Sequence, residues 1–388
     1  MVDRLRSWGG VRTARVEAAM RAVPRHLFVP DATLEQAYSN DSVVTFRDAE
    51  GIAISSASGP GVVAAMLEQL EARPGHRVLE VGAGTGYNAA CLAELVGPAG
   101  QVTTIDIGPD IAAGARRGLD AAGYPGVRVV CGDGTGGVPD DAPYDRIIVT
   151  AGAWDLPPAW REQLAPGGRL VVPLRMRGVT RAVALELHGD VWSSVSINEC
   201  GFMPMRGEGA SVVEELNVEL PRETGVRIRV DDGQPVDVHA LGAALNLPPA
   251  LAWSGVVVPI KPFEHLDFWL AGTSADLCRF LVTPKALEAG LVKPIYPWGS
   301  MGCYTADTIV YLIRRDSEDG TRTELGACAY GPGSQRLAGE VADRLKAWGA
   351  ARDSLEGLRV EVHPANSPDR PALITADKAH SRIFVLTD

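Results

Sequence analysis

"VLEVGAGTGYNAACLA", from Val78 to Ala93, decides how this chain reads. A short apolar strand meets Gly82, Gly84 and Gly86 at alternating positions, and helical spacing then carries Tyr87 to a stop at Gly97. Glycines in a strand-to-helix turn let the backbone bend tightly and approach a ligand without a Cβ in the way. The helix that follows presents free N–H groups at its start. The spacing is GxGxG, unlike the GxGxxG of pyrophosphate-binding dinucleotide folds.

Outward from this turn the same alternation continues. "QVTTIDI" is a strand, "PDIAAGARRGLDAAGY" a helix, "VRVVCGDG" a third strand, "YDRIIVTAGA" a fourth and "GGRLVVPL" a fifth. Strands alternating with helices predict a doubly wound, parallel, Rossmann-like α/β sheet with right-handed crossovers. Its ligand belongs at the carboxyl ends of the strands. Upstream, Val16–Val23 has helical periodicity and stops at Pro24. Residues 31–53 read as loops around short extended pieces, and Gly61–Leu70 again as a helix. "GEGASVVEELN", Gly207 to Asn217, changes the texture. It suggests a division into residues 1–206 and a smaller α+β domain over 207–388, with strand-like runs at Val226–Val230, Trp253–Ile260 and Thr308–Ile313 and a helix at Ser334–Trp348.

Bulk properties narrow the function. The chain has 388 residues, a formal net charge of -11 and 22% charged residues, ordinary for a globular protein and against a basic nucleic-acid face. Its six cysteines form no CxxC pair, which argues against a zinc cluster or a disulfide scaffold, and no metal is expected. No apolar run approaches a membrane span, and the charged N-terminus has no secretory h-region. A cytoplasmic, reducing compartment is the expectation.

The glycine turn has acidic company. Glu80 precedes Gly82, and a carboxylate there suits a cationic ligand better than a phosphate. Asp106, at the end of the second strand, can accept ribose hydroxyls. Asp133 and Gly134, after the third strand, are placed for an adenine. Acidic residues at successive strand ends point to S-adenosyl-L-methionine, which carries a sulfonium and an amino acid and no phosphate.

Further motifs carry a resemblance. "AMRAVPRHLFVP", Ala37–Tyr38 followed by Asp41, "SGP" at Ser58–Pro60, "GDG" at Gly132–Gly134, "PYD" at Pro143–Asp145, "EQLAPGGRLVVP" and "GFMPMRG" occur in order. Together they resemble the protein-L-isoaspartate (D-aspartate) O-methyltransferases over residues 15–206. The resemblance implies methyl transfer from S-adenosyl-L-methionine to a peptide carboxylate, with S-adenosyl-L-homocysteine as product. It further implies that the ester loses methanol to the backbone N–H, giving a succinimide that opens to aspartate and isoaspartate. Ser58 matches the acceptor-side serine by its place before Pro60, with Ser55 and Ser56 as companions.

This sequence also departs from the family. "DSVVTFRDAEGIAISSASGP", Asp41 to Pro60, replaces a proline-containing segment on the acceptor side. Residues 207–388 extend beyond the plain repair enzymes. A long form with this loop is similar to the aspartyl O-methyltransferases of lanthipeptide, lasso and graspetide systems, which implies a modified precursor peptide as partner and an aspartimide as outcome. The alternatives are a general isoaspartyl repair enzyme and, in another class, a catalytically idle cofactor- and partner-binding module. Intact Glu80, Asp106 and Asp133 argue against the last. Trp253, Trp269 and Trp298 are expected in the core, with peptide recognition as their other reading. "KPIYPWGSMGCYT", Lys293 to Thr305, reads as a loop within reach of the active site.

Overall fold

The computed structural model describes residues 1–49, 51–210, 216–219, 225–230, 235–260 and 263–387. The first strands are β1 (Val43–Arg47), β2 (Ala53–Ala57), β3 (Arg77–Val81), β4 (Gln101–Asp106), β5 (Arg128–Cys131) and β6 (Tyr144–Val149). β7 (Leu164–Met176), β8 (Val179–His188) and β9 (Val191–Glu199) follow. The order β5-β4-β3-β6-β7 is parallel throughout, the doubly wound sheet expected from the glycine turn. β7 continues into an antiparallel β8–β9 meander that the sequence reading did not anticipate. Helices Pro60–Leu70, Tyr87–Val96 and Pro109–Ala121 lie where the periodicity put them. Pro60 opens the first of these, where its missing N–H is no loss.

The later strands are β10 (Leu216–Glu219), β11 (Val226–Val230), β12 (Ala250–Pro259), β13 (Leu277–Val282), β14 (Gly299–Tyr304), β15 (Ile309–Asp316) and β16 (Arg322–Tyr330). They form a seven-stranded antiparallel sheet. Helix Ser334–Leu355 follows β16 and turns Leu337, Val341, Leu345 and Trp348 into the core. Gly299–Tyr304, expected as part of a loop, is a fully buried strand.

The change of texture at Gly207–Asn217 lies partly outside the described residues, at 211–215. The first sheet does not end there. β17 (Arg359–Pro364), β18 (Ile374–Asp377) and β19 (Ser381–Leu386) return to it, β17 pairing with β9, to complete ten strands. One apolar cluster accordingly runs from Leu79 and Ile147 through Phe268 and Leu337 to Val385. Arg181 of β8, nearly buried, clamps helix Leu266–Thr273 to the first sheet by donating to both carboxylate oxygens of Asp267 at 2.5 Å, with its guanidinium over Phe268.

Candidate active site

The glycine turn follows β3. Gly82 (φ 102°), Gly84 (φ 53°) and Gly86 (φ 88°) all take the left-handed backbone that glycine tolerates. A Cβ on Gly82 would lie 2.7 Å from Thr150 Oγ1, whose hydroxyl donates to the Gly82 carbonyl at 2.6 Å. At Gly84 the nearest atom to such a Cβ is Ser56 O, at 3.7 Å, so the turn and the serine segment face each other. Gly86 serves packing: a Cβ there would lie 3.0 Å from Ala115 O on the neighbouring helix.

Glu80 is fully buried in β3. Its oxygens accept from Asn88 Nδ2 and Thr104 Oγ1, each at 2.7 Å. Burial pushes its carboxyl up to about 7, against the pull of these two hydrogen bonds. Asp106, at the end of β4, accepts the Gly84 and Gly108 N–H groups at 3.0 Å each, which fixes the turn to the strand end.

Across from the turn, β1 and β2 form a hairpin that leads into Ser58, Gly59 and Pro60. Residues 31–53, expected as loops around short extended pieces, hold the first strand of this hairpin and, unexpectedly, a helical turn Leu34–Ala37 whose Thr33–Gln36 capping box holds its start. Arg25 is buried and ties the segment down. Its Nε donates to Ala37 O and its Nη2 to Ser58 O, each at 2.8 Å, and its guanidinium lies 4.8 Å from the Tyr87 ring centre. Ser55 is buried and takes a long contact from Thr45 Oγ1 at 3.4 Å. Ser56 and Ser58 are half-buried, and among the described residues neither hydroxyl has a hydrogen-bond partner.

These parts enclose a cavity of about 560 Å³. Its lining includes Ser55, Ser56 and Ser58 on one side and Glu80, Gly82, Gly84, Asp106 and Gly134 on the other. Gly86 and Asp133 are absent from the lining. Asp133 Oδ1 accepts from the Thr135 N–H and hydroxyl, and Oδ2 from the Glu208 N–H at 2.8 Å. Gly207 must be glycine beside it, since a Cβ would lie 2.2 Å from Oδ2. The side chain expected at an adenine therefore fastens the segment after residue 206 to the first sheet. A further wall of the cavity comes from arginines: Arg175 of β7, Arg206, Arg229 of β11 and Arg279 of β13.

Residues 1–209 match the protein-L-isoaspartate(D-aspartate) O-methyltransferase (PCMT) family. The chain belongs to this family. A Methanopyrus kandleri protein-L-isoaspartate O-methyltransferase is 44% identical over 212 residues, covering 54% of this chain and 90% of the relative. One from Aeropyrum pernix is 48% identical over 175 residues, covering 45% and 65%. A solved protein-L-isoaspartate O-methyltransferase aligns over 100% of this chain and 99% of its own at a TM-score of 0.52 and 21% identity, which supports the fold. A second, from Plasmodium falciparum in complex with S-adenosyl-L-homocysteine, covers 53% of this chain and 96% of its own at 17% identity and a TM-score of 0.45. The PCMT family uses S-adenosyl-L-methionine, and this protein is an O-methyltransferase. The donor set fits that cofactor: carboxylates and open glycine backbone at the turn, with Glu80 a buried acid suited to an ammonium group.

Sequence reasoning missed Asn88, Thr104, Arg206, Arg229 and Arg279; Arg175, after the fifth strand, it read as solvated charge that could also meet an acidic peptide. Thr104 was recoverable, because it lies opposite Glu80 in the parallel register of β3 and β4. Asn88 stands in the first turn after Gly86, within reach of the strand end. Nothing local could show that Arg229 and Arg279 face a cavity built by the other sheet.

Proposed function

We propose that this enzyme methylates the side-chain carboxylate of an aspartyl residue in a ribosomally made, modified peptide, the ester then closing to an aspartimide that opens to isoaspartate. One observation carries the reading: Ser56 and Ser58 face the glycine turn across a cavity whose acceptor side is a hairpin of this chain's own kind, walled by arginines. When bound, S-adenosyl-L-methionine supplies an electrophilic methyl carbon on a sulfonium that departs as the neutral thioether. The chain's residues do the rest by position. Glu80 faces the ammonium, Asp106 accepts ribose hydroxyls with the lone pairs its two N–H bonds leave, and Gly82, Gly84 and Gly134 give the backbone room. Gly86 and Asp133 support these from behind. An acceptor carboxylate has a reference pKa near 4 and is ionised at neutral pH, so no strong base is needed. Ser58, with Ser56, donates to one oxygen and so aims the other at the methyl carbon; Ser55 stiffens the hairpin beneath them. Alignment and exclusion of water then supply the rate.

We further propose that residues 1–206 hold the cofactor and 207–388 select the acceptor. The second reading, general isoaspartyl repair, is favoured by the named relatives over residues of the first half. Substrate breadth separates the two. A panel of unrelated isoaspartyl peptides should be methylated only weakly, and rates within a few-fold of one another at high efficiency would establish repair instead.

A further inference from the structure

Arg25 is fully buried, belongs to the cavity lining and is bonded to the backbone of Ser58. All its acceptors are neutral carbonyls: Ala37 O and Ser58 O at 2.8 Å each, and Ala57 O at a long 3.4 Å. Its Nη1 has no hydrogen-bond partner. Among the described residues no carboxylate pairs with this guanidinium, and the groups that act on its charge are Tyr87, Cys91 and Tyr38. The Tyr87 ring, 4.8 Å away, offers only the partial charge of its face. A buried cation is ordinarily matched by an anion. Arg25 also stands at the start of helix Pro60–Leu70, an end that carries positive partial charge of its own and favours anions. Gly59 caps that helix without a side chain, and the neutral amide of Asn40 accepts from Gly61 N at 2.8 Å. Two positive elements thus converge on Ser58, and neither is offset by an acid.

A neutral donor could tie down the same carbonyls, so the charge of Arg25 is what the fold leaves unexplained. Ser58 connects that charge to the cavity: its carbonyl is held by Arg25, and its hydroxyl has no partner among the described residues. Resting on the carboxyl-transfer reading above, we propose that Arg25 is a positioning residue whose unmatched charge, acting across the Ser58 backbone, draws the acceptor carboxylate onto Ser58. Being fully buried, it acts through Ser58 and not by touching the peptide. Methyl transfer then removes the charge that Arg25 attracts. A negative carboxylate and a positive sulfonium become a neutral ester and a neutral thioether. Substrate feels the attraction and product does not, so Arg25 strengthens acceptor binding and lets the ester leave. Its contribution falls on affinity for the ground state more than on the chemical step.

The test uses the full-length enzyme saturated with S-adenosyl-L-homocysteine and one peptide frame carrying a single acceptor position. The frame is prepared in aspartyl, isoaspartyl and asparaginyl forms, the last a neutral match in shape. Calorimetry reads the affinity of each, and labelled S-adenosyl-L-methionine reads methyl transfer in parallel. Wild type should bind the better acidic form about tenfold or more tighter than the asparaginyl form. Arg25→Gln should bring the two within about twofold, and Arg25→Lys, which keeps the charge, should restore part of the preference. Cofactor affinity should stay within about twofold in both variants. In steady state the loss in Arg25→Gln should fall on KM more than on kcat. A purely structural Arg25 would instead lower kcat and leave the preference for acid over amide intact. That result would overturn the proposal, as would equal affinity of wild type for acidic and asparaginyl peptides, a measurement that needs no variant. Methyl ester formation beside either result leaves the carboxyl-transfer reading standing. Cofactor binding with no methyl ester on any peptide would overturn that reading, and the inference with it.

Discussion

A carboxyl group sealed from solvent between Asn88 and Thr104 is ionised in the folded protein only above about 7, whereas a free glutamate ionises near 4.5. Below about pH 4.5 Glu80 is protonated in both folded and unfolded chains. Between about 4.5 and 7 only the unfolded chain ionises, so the stability this group contributes is lost as pH rises through that window. The loss is on the order of 3 kcal/mol. Glu80→Gln should therefore match the cofactor-free wild type in denaturation midpoint near pH 4 and exceed it at pH 8. An ammonium beside Glu80 reverses the balance. Cofactor affinity of the wild type should weaken as pH falls below about 7 and be flat across that range in Glu80→Gln; titration calorimetry at several pH values checks both. The place of Glu80 was legible before Gly82, because strand, acid and glycine turn are contiguous. Its raised ionisation was not, since it depends on burial under helices and strands distant in sequence.

At the scale of elements, the parallel strands and their helices could be read because each is a contiguous run with a clear period and a glycine or proline stop. The β8–β9 meander was passed over: its pattern VTRAVALELH carries few turn signals besides Gly178 and Gly189, and both its faces are largely covered. Two side-chain contacts are prominent among those that hold the later elements against the first sheet. Asp133 fastens Glu208, and Arg181 grips Asp267 where β8 meets helix Leu266–Thr273. Asp267→Ala leaves Arg181 nearly buried without its bidentate partner, for an expected loss of about 3 kcal/mol in unfolding free energy. Urea denaturation measures it, and a change below about 1 kcal/mol would mean the clamp contributes little.

On the scale of the whole molecule, the chain leaves the first sheet after β9, builds the second, and comes back through β17–β19. Sequence texture changes near residue 207, after β9 ends at Glu199. It does not mark the return, because a strand pair joined across so many residues leaves no local signature. The continuous apolar cluster predicts one cooperative thermal transition for the full chain, and two well-separated calorimetric peaks would show independent halves. The cavity is a product of this arrangement: the glycine turn, Glu80 and Asp106 come from the first sheet, serines from the hairpin and arginines from both sheets. The proposal for this cavity is methyl transfer to a peptide carboxylate aimed by Ser58. The most direct measurement is mass spectrometry of aspartyl and isoaspartyl peptides after incubation with S-adenosyl-L-methionine and either wild-type enzyme or Ser58→Ala. The expected product is a methyl ester that releases methanol in mild alkali, formed at least about tenfold more slowly by Ser58→Ala at unchanged cofactor affinity. An alkali-stable methyl group, or an ester formed equally fast by both enzymes, would contradict the assignment.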